Sequence, residues 1–330
     1  MDHPPIIDIS SFGDNLFEDN SEKEDAALAL RNACRYIGFF YIKSNDITHT
    51  SLEDAITTVK DLFDLSNEVK ESANASNSPL FRGYQGIASP SHSCAPGDKS
   101  LIKETKESFS IGAEGNLSPM HGENQWPNKC PNFIKEQLEK HWNSMLSLTR
   151  KVVRCLALSL GLEEDFFLKE MSDPIAQMVC LRYPPAPKSE TLSGEQSFNS
   201  GCNAHTDCGF LTLLVQEINT SPLQIKNTNG VWVEAPQIDG HILCNLGDMA
   251  ERWSNKFYRS SWHRVANNGS KARHSLPFFC NLNYGAVVDP SGSVCQGNLK
   301  NSVGDPKFKP VLAGEYICEK LNLMYLQKED

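Results

Sequence analysis

Apolar positions follow two different rhythms in the two halves of this chain. Ala26, Leu30, Ala33 and Cys34 recur at helical spacing within residues 22–36. Leu52, Ile56, Val59, Leu62 and Phe63 do the same within residues 51–65. A third stripe (Phe133, Leu138, Trp142, Met145, Leu148, Val152, Leu156 and Leu160) predicts a long amphipathic helix over residues 132–160, ended by Gly161. Short aromatic and β-branched runs at residues 5–10 and 38–42 read as strands. Residues 76–126 show neither rhythm. They are rich in Gly, Pro, Ser and Asn, and hold Arg82-Gly-Tyr84 and the stretch 89–97. An irregular region of that length is expected to cover a functional site.

Beyond residue 175 short strands separated by turn signals take over. They are expected at 175–182, 209–216, 223–226, 231–234, 241–245, 262–265 and 276–284. Asn229-Gly230 and Asn268-Gly269 read as hairpin turns, since both residue types accept positive φ. Residues 310–325 return to a helical pattern. The expectation is an α+β fold in which a helical amino-terminal portion wraps a β-sandwich or jelly roll (double-stranded β-helix), closed by a carboxyl-terminal helix. It divides into residues 1–126 with helices and covering loops, 127–174 with the long supporting helix, and 175–330 as the catalytic core.

Composition narrows the classes. The 330 residues are 39% hydrophobic and 22% charged, normal for a globular enzyme. A net charge of -10 argues against nucleic acid or an anionic membrane as partner, so an anionic ligand must be met by local cations. Eleven cysteines without a Cys-x-x-Cys pair are expected as reduced thiols in a cytoplasmic protein. The amino terminus lacks the features of a secretory signal, and no apolar run reaches the ~18 residues of a membrane span. A monomer acting on a small molecule is expected.

His205-Thr-Asp207 is the most telling pattern. Residues i and i+2 of a strand share a face, which sets an imidazole beside a carboxylate. A second imidazole would complete the two-histidine, one-carboxylate facial triad of non-haem Fe(II) oxygenases. His263 supplies it, in the predicted strand before Asn268-Gly269. Ten residues beyond it comes Arg273-His-Ser275, expected to return on a hairpin beside His263. A guanidinium fork next to a hydroxyl suits a carboxylate. A dicarboxylate anchored there could present its other end to the metal.

With these motifs in order, the chain resembles the iron(II)/2-oxoglutarate-dependent dioxygenases of the isopenicillin-N-synthase-like group. The likeness also covers Pro5-Ile-Ile-Asp8, residues 33–40, Lys106-Glu-Ser-Phe109, Asn124-Gln-Trp-Pro127, residues 183–187, Asn245-Leu-Gly-Asp248 and Phe278-Phe279. It implies that His205, Asp207 and His263 hold Fe(II), that Arg273 and Ser275 bind the distal carboxylate of 2-oxoglutarate, and that Tyr183 also contacts this co-substrate. Leu181 stands where plant members often carry Asn, and Arg182 where Tyr is common; alternation should turn Arg182 away from Tyr183. The implied reaction consumes O2 and 2-oxoglutarate, releases succinate and CO2, and abstracts a substrate hydrogen. Hydroxylation, desaturation or ring closure follows, with ascorbate as a candidate reductant and specialised biosynthesis as the setting. Arg82, Tyr84 and Phe210 are the candidate substrate contacts, the first two for a carboxylated, amino-acid-like metabolite. Two other readings stay open. One is an iron oxidase of the same fold that does not use 2-oxoglutarate, and the other is a non-catalytic ligand-binding relative.

Overall fold

The helical spacings produce α1 (Asn20–Tyr36), α2 (His49–Phe63), α3 (Asn67–Glu71), α4 (Asn132–Ser159), α5 (Phe166–Lys169), α6 (Asp248–Trp253) and α7 (Ala313–Tyr325). A capping box between Thr48 and Ser51 starts α2. The computed structural model describes residues 3–13, 20–87, 90–92, 101–103, 105–185, 200–266, 269–292 and 304–325.

The strands are β1 (Ile6–Asp8), β2 (Phe39–Lys43), β3 (Gly83–Gln85), β4 (Pro90–His92), β5 (Leu101–Lys103), β6 (Glu107–Gly112), β7 (Pro174–Tyr183), β8 (Ser200–His205), β9 (Leu211–Gln216), β10 (Leu223–Lys226), β11 (Trp232–Ala235), β12 (Ile242–Leu246), β13 (His263–Ala266), β14 (Arg273–Asn283), β15 (Val287–Val288) and β16 (Val311–Leu312). Eight form one sheet in the order β1-β2-β12-β9-β14-β7-β6-β3, and four form a second, β11-β10-β13-β8. The amino-terminal strands β1, β2, β3 and β6 thus continue the sheet of the carboxyl-terminal core. The stretch 76–126 is therefore less irregular than its composition suggests: β3 and β6 pair with each other, and β6 extends the sheet through β7.

Period-two alternation sorts the large sheet into two faces. Met178, Cys180, Leu211, Leu213, Val215, Leu276, Phe278, Cys280 and Leu282 turn outward into a dry core shared with α1, α2 and α4. Trp142 of α4 meets Phe278 edge-on at 5.0 Å. Inward, Phe39, Tyr41, Leu214 and Leu243 pack on Leu223, Ile225 and Val265 of the small sheet, forming a second, smaller core. This is the jelly-roll sandwich.

The Asn229-Gly230 turn joins β10 to β11, and of its two residues Gly230 takes the positive φ (78°). The expected hairpin between His263 and Arg273 does not form. β13 pairs with β10 and β8 in the small sheet, while β14 pairs with β7 and β9 in the large one. The chain crosses between sheets there because each strand finds its apolar partners on opposite walls of the sandwich. Asn268, Ser89 and residues 93–97 lie outside the described residues. The nine described cysteines are all free, and no described helix is long and apolar enough to cross a membrane.

Candidate metal centre and anion anchor

β8 ends on His205 and β13 begins on His263. The ladder sets these two residues opposite each other, with ring centroids 4.2 Å apart. Each imidazole turns its Nδ1 to the carbonyl two residues back, His205 to Asn203 (2.7 Å) and His263 to Ser261 (3.1 Å). A carbonyl only accepts, so Nδ1 carries a proton and Nε2 is the ring nitrogen left toward Asp207. Phe39 meets the His263 ring edge-on at 5.4 Å.

Asp207 is not on the strand. It sits in the turn after β8, where its carbonyl accepts from Asp248 N at 2.7 Å. Gly209 and Gly247 allow that close approach: a Cβ on Gly247 would collide with the carbonyls of Gly209 and Asp207, and one on Gly209 with the Asn281 side chain. Asn281 Oδ1 also accepts from Phe210 N (2.9 Å), pinning the turn to β14. Thr212 Oγ1 (2.7 Å) and Asn245 Nδ2 (2.8 Å) both donate to Asp207 Oδ2. The other oxygen, Oδ1, is left facing His205 Nε2 at 3.8 Å and His263 Nε2 at 3.6 Å. Burial opposes ionisation of Asp207, but the two imidazoles and these hydrogen bonds outweigh it and hold the carboxyl below its usual range. Burial, then the neighbouring His205, pushes His263 down to about 4.

The three candidate ligand atoms lie within 4.8 Å of one another, the one such group among the described residues. Two imidazole nitrogens and one carboxylate oxygen, each with its other polar atom tied back, fit a divalent metal of intermediate softness.

Arg273 opens β14 opposite Tyr183 of β7. It is 1% exposed, with its guanidinium 4.9 Å from the Tyr183 ring centroid. Nη1 donates to Ser275 Oγ, Nη2 to Gln216 Oε1 and Nε to the Ser221 carbonyl, all at 2.9 Å. Arg273, Ser275 and Tyr183 are thus brought together, with Gln216 as an unforeseen fourth member. Gln216 closes β9, whose sequence Leu-Thr-Leu-Leu-Val-Gln reads as an apolar run, so only the register shows that Thr212 and Gln216 face the site.

The three candidate substrate contacts are corrected. Arg82 is buried, and its guanidinium is spent on the carbonyls of Gly122 (2.5 Å), Met120 (2.8 Å) and Ala113 (3.0 Å) and on Asn124 Oδ1 (3.3 Å). It ties down the segment 113–124. Tyr84 is buried too, donating to Glu107 Oε2 (2.7 Å), which also takes Lys70 Nζ at 2.9 Å. Glu107 meets Arg182 Nε at 2.5 Å, so Arg182 does point away from Tyr183, to the outer face. Phe210 is 1% exposed and packs on Phe167 (5.2 Å) and Trp253 (6.0 Å), away from the imidazoles. A charged or aromatic residue in a polar loop looks the same in sequence whether it binds a ligand or staples the loop.

Comparison with known proteins follows the same lines. Residues 174–282 match the model of the 2OG-Fe(II) oxygenase superfamily, and residues 4–129 that of the non-haem dioxygenase in morphine synthesis N-terminal region. Homoarginine-6-hydroxylase 2-ODD-C23 of Glycine max is 32% identical over 326 residues, 96% of either chain. The 2-oxoglutarate-Fe(II) type oxidoreductase hxnY of Emericella nidulans is 30% identical over 325 residues, covering 95% of this chain and 88% of its own. Among solved structures, a full-length Neurospora crassa protein in complex with alpha-KG and thymine superposes with a TM-score of 0.79 at 26% identity, covering 96% of both chains.

Proposed function

The chain belongs to the 2OG-Fe(II) oxygenase superfamily, and from that premise we propose that it oxidises a small, carboxylated or amino-acid-like metabolite by hydrogen abstraction. It is a 2-oxoglutarate-dependent dioxygenase using Fe(II) and 2-oxoglutarate. In our reading His205 and His263 hold the metal through Nε2, and Asp207 through Oδ1. Arg273, Ser275 and the Tyr183 hydroxyl take the distal carboxylate of 2-oxoglutarate. When bound, the metal and co-substrate would supply, with O2, the oxidant that removes a substrate hydrogen, leaving succinate and CO2.

The protein's own part is geometric. The Asn203 and Ser261 carbonyls keep both imidazoles in the Nδ1-protonated form and aim Nε2 at one point. Thr212 and Asn245 fix the carboxylate's rotation, so that Oδ1 faces the same point. Gln216 accepts from Arg273 Nη2 and from Leu223 N (3.1 Å), which steadies the guanidinium against both walls. We also assign residues 1–126 to the surround, 127–174 to support and 175–330 to the catalytic core. A small, amino-acid-like substrate agrees with the relatives named homoarginine hydroxylases.

The observation that carries the assignment is the convergence of two Nε2 atoms on Asp207 Oδ1. It is tested by anaerobic addition of Fe(II) and 2-oxoglutarate. A visible charge-transfer band is expected in the native protein and none in His205→Ala. A full-strength band in His205→Ala would mean the ligand set is wrong. Failure to form succinate from 2-oxoglutarate under any condition, with iron bound, would favour the oxidase that does without it.

A further inference from the structure

A second cation-x-hydroxyl pair stands on the sheet beside the first. β6 and the residue before it read Lys106-Glu107-Ser108. Glu107 faces outward, into the buried cluster with Lys70, Tyr84 and Arg182. Alternation therefore turns Lys106 and Ser108 inward, to the face that carries Arg273 and Ser275. Two contacts agree. Lys106 Nζ lies 3.7 Å from Cys202 Sγ on β8, across the gap between the sheets, and Ser108 Oγ donates to Gln85 Oε1 at 3.4 Å. Cys202 Sγ is in turn 3.8 Å from His205 Nδ1.

The register aligns the two pairs. Ser275, Leu181 and Ser108 form one cross-strand row, and Arg273 lies opposite Tyr183 in the next. Continuing the β6–β7 ladder one residue beyond Glu107↔Arg182 brings Lys106 to the other side of Tyr183. Each row thus runs from the co-substrate anchor through β7 to β6. The two pairs differ in exposure: Arg273 and Ser275 are 1% exposed, whereas Lys106 and Ser108 are half-buried.

We propose that Lys106 and Ser108 bind the carboxylate of the substrate, leaving Arg273 and Ser275 to 2-oxoglutarate. β6 and β14 are two strand spacings apart, about 9–10 Å, so one carboxylate cannot bond both short serine side chains. Leu181, apolar and between them, separates the two anions. The chain's net charge of -10 gives no general attraction for an anion, so a local ammonium and hydroxyl must provide it. A substrate held at β6 extends along the inner face of the large sheet toward His205 and presents a C–H bond to the metal held there. This deepens the function proposed above and rests on it.

The test uses the Fe(II)- and 2-oxoglutarate-loaded protein without oxygen, and follows the charge-transfer band as L-homoarginine, L-arginine, L-lysine or their carboxamides are added. At least one free carboxylate should perturb the band with half-saturation at least about tenfold below that of its amide, as for loss of a charge-assisted hydrogen bond. Lys106→Gln should bring that ratio within about twofold of one, and Lys106→Arg should keep it. Ser108→Ala should lower it partway. Half-saturation by 2-oxoglutarate should stay within about twofold in all three variants. The proposal is overturned if no carboxylate moves the band, if Lys106→Gln keeps the discrimination, or if Lys106→Gln instead weakens 2-oxoglutarate. Absence of any band in the native protein is a different failure, that of the underlying function.

Discussion

On β14, Leu276, Phe278, Cys280 and Leu282 face the helices, while Arg273, Ser275 and Asn281 on the same strand face the second sheet. β9 does the same, with Leu211, Leu213 and Val215 outward and Thr212 and Gln216 inward. The outer face is filled by apolar side chains, each stabilising by roughly 1.5–3 kcal/mol on burial. The inner face carries polar groups bonded to one another, Thr212 and Asn245 to Asp207, and Arg273 to Ser275 and Gln216. The difference shows how one set of strands serves stability on one side and chemistry on the other. Period-two alternation separates the two tasks by a single residue, so each is open to change without the other.

Substitutions that strike one face and spare the other test this division. The largest effect belongs to Asp207→Ala. Succinate formation should fall by about a thousandfold or more, with loss of the charge-transfer band and little change in the melting temperature of the metal-free protein. A variant that still makes succinate at a tenth of the native rate would break the contrast. Next comes Phe278→Ala on the outer face, expected to cost about 3–5 kcal/mol in denaturant unfolding through the cavity left under Trp142. Its half-saturation by 2-oxoglutarate below the melting range should be unchanged.

The two buried arginines sharpen the comparison further. Arg273→Ala should raise half-saturation by 2-oxoglutarate about a hundredfold, equivalent to about 2.7 kcal/mol. Arg82→Ala should instead lower stability by about 2 kcal/mol or more, since four acceptors each lose a hydrogen bond, and leave 2-oxoglutarate binding within about twofold. The reverse pattern would restore Arg82 to the site. The smallest effect is expected of Asn245→Ala. Freed from one of its two donors, Asp207 should hold Fe(II) about 10–100-fold more weakly, readable by competition with a chelator.

The residues themselves explain how much of this is legible beforehand. His205-Thr-Asp207, His263 and Arg273-His-Ser275 announce themselves because metal and carboxylate chemistry restrict residue type and spacing together. The helices α1, α2 and α4 follow their apolar stripes closely, and most strands after residue 175 lie within two residues of their expected bounds. β8 escapes a reading of the sequence because Ser-Gly-Cys-Asn-Ala-His has little β-propensity; pairing with β13 imposes the strand. Arg82 and Tyr84 mislead because a polar residue in a Gly-containing segment carries no mark of whether its partner is a ligand or a carbonyl. Thr212, Gln216 and Asn281 cannot be singled out, since their roles depend on which strand lies next to theirs.

Sequence alone determined the oxidising chemistry: donor atoms that suit iron and a guanidinium-hydroxyl pair that suits a carboxylate are properties of side chains in order. Tertiary structure decided which cations face the second sheet. Arg82 is consumed by backbone, Arg182 turns outward to Glu107, and Lys106 crosses to Cys202. That choice lies in strand register and sheet order, which bring together residues far apart in the chain. A shift of one residue in a strand's register would turn its side chains to the opposite face.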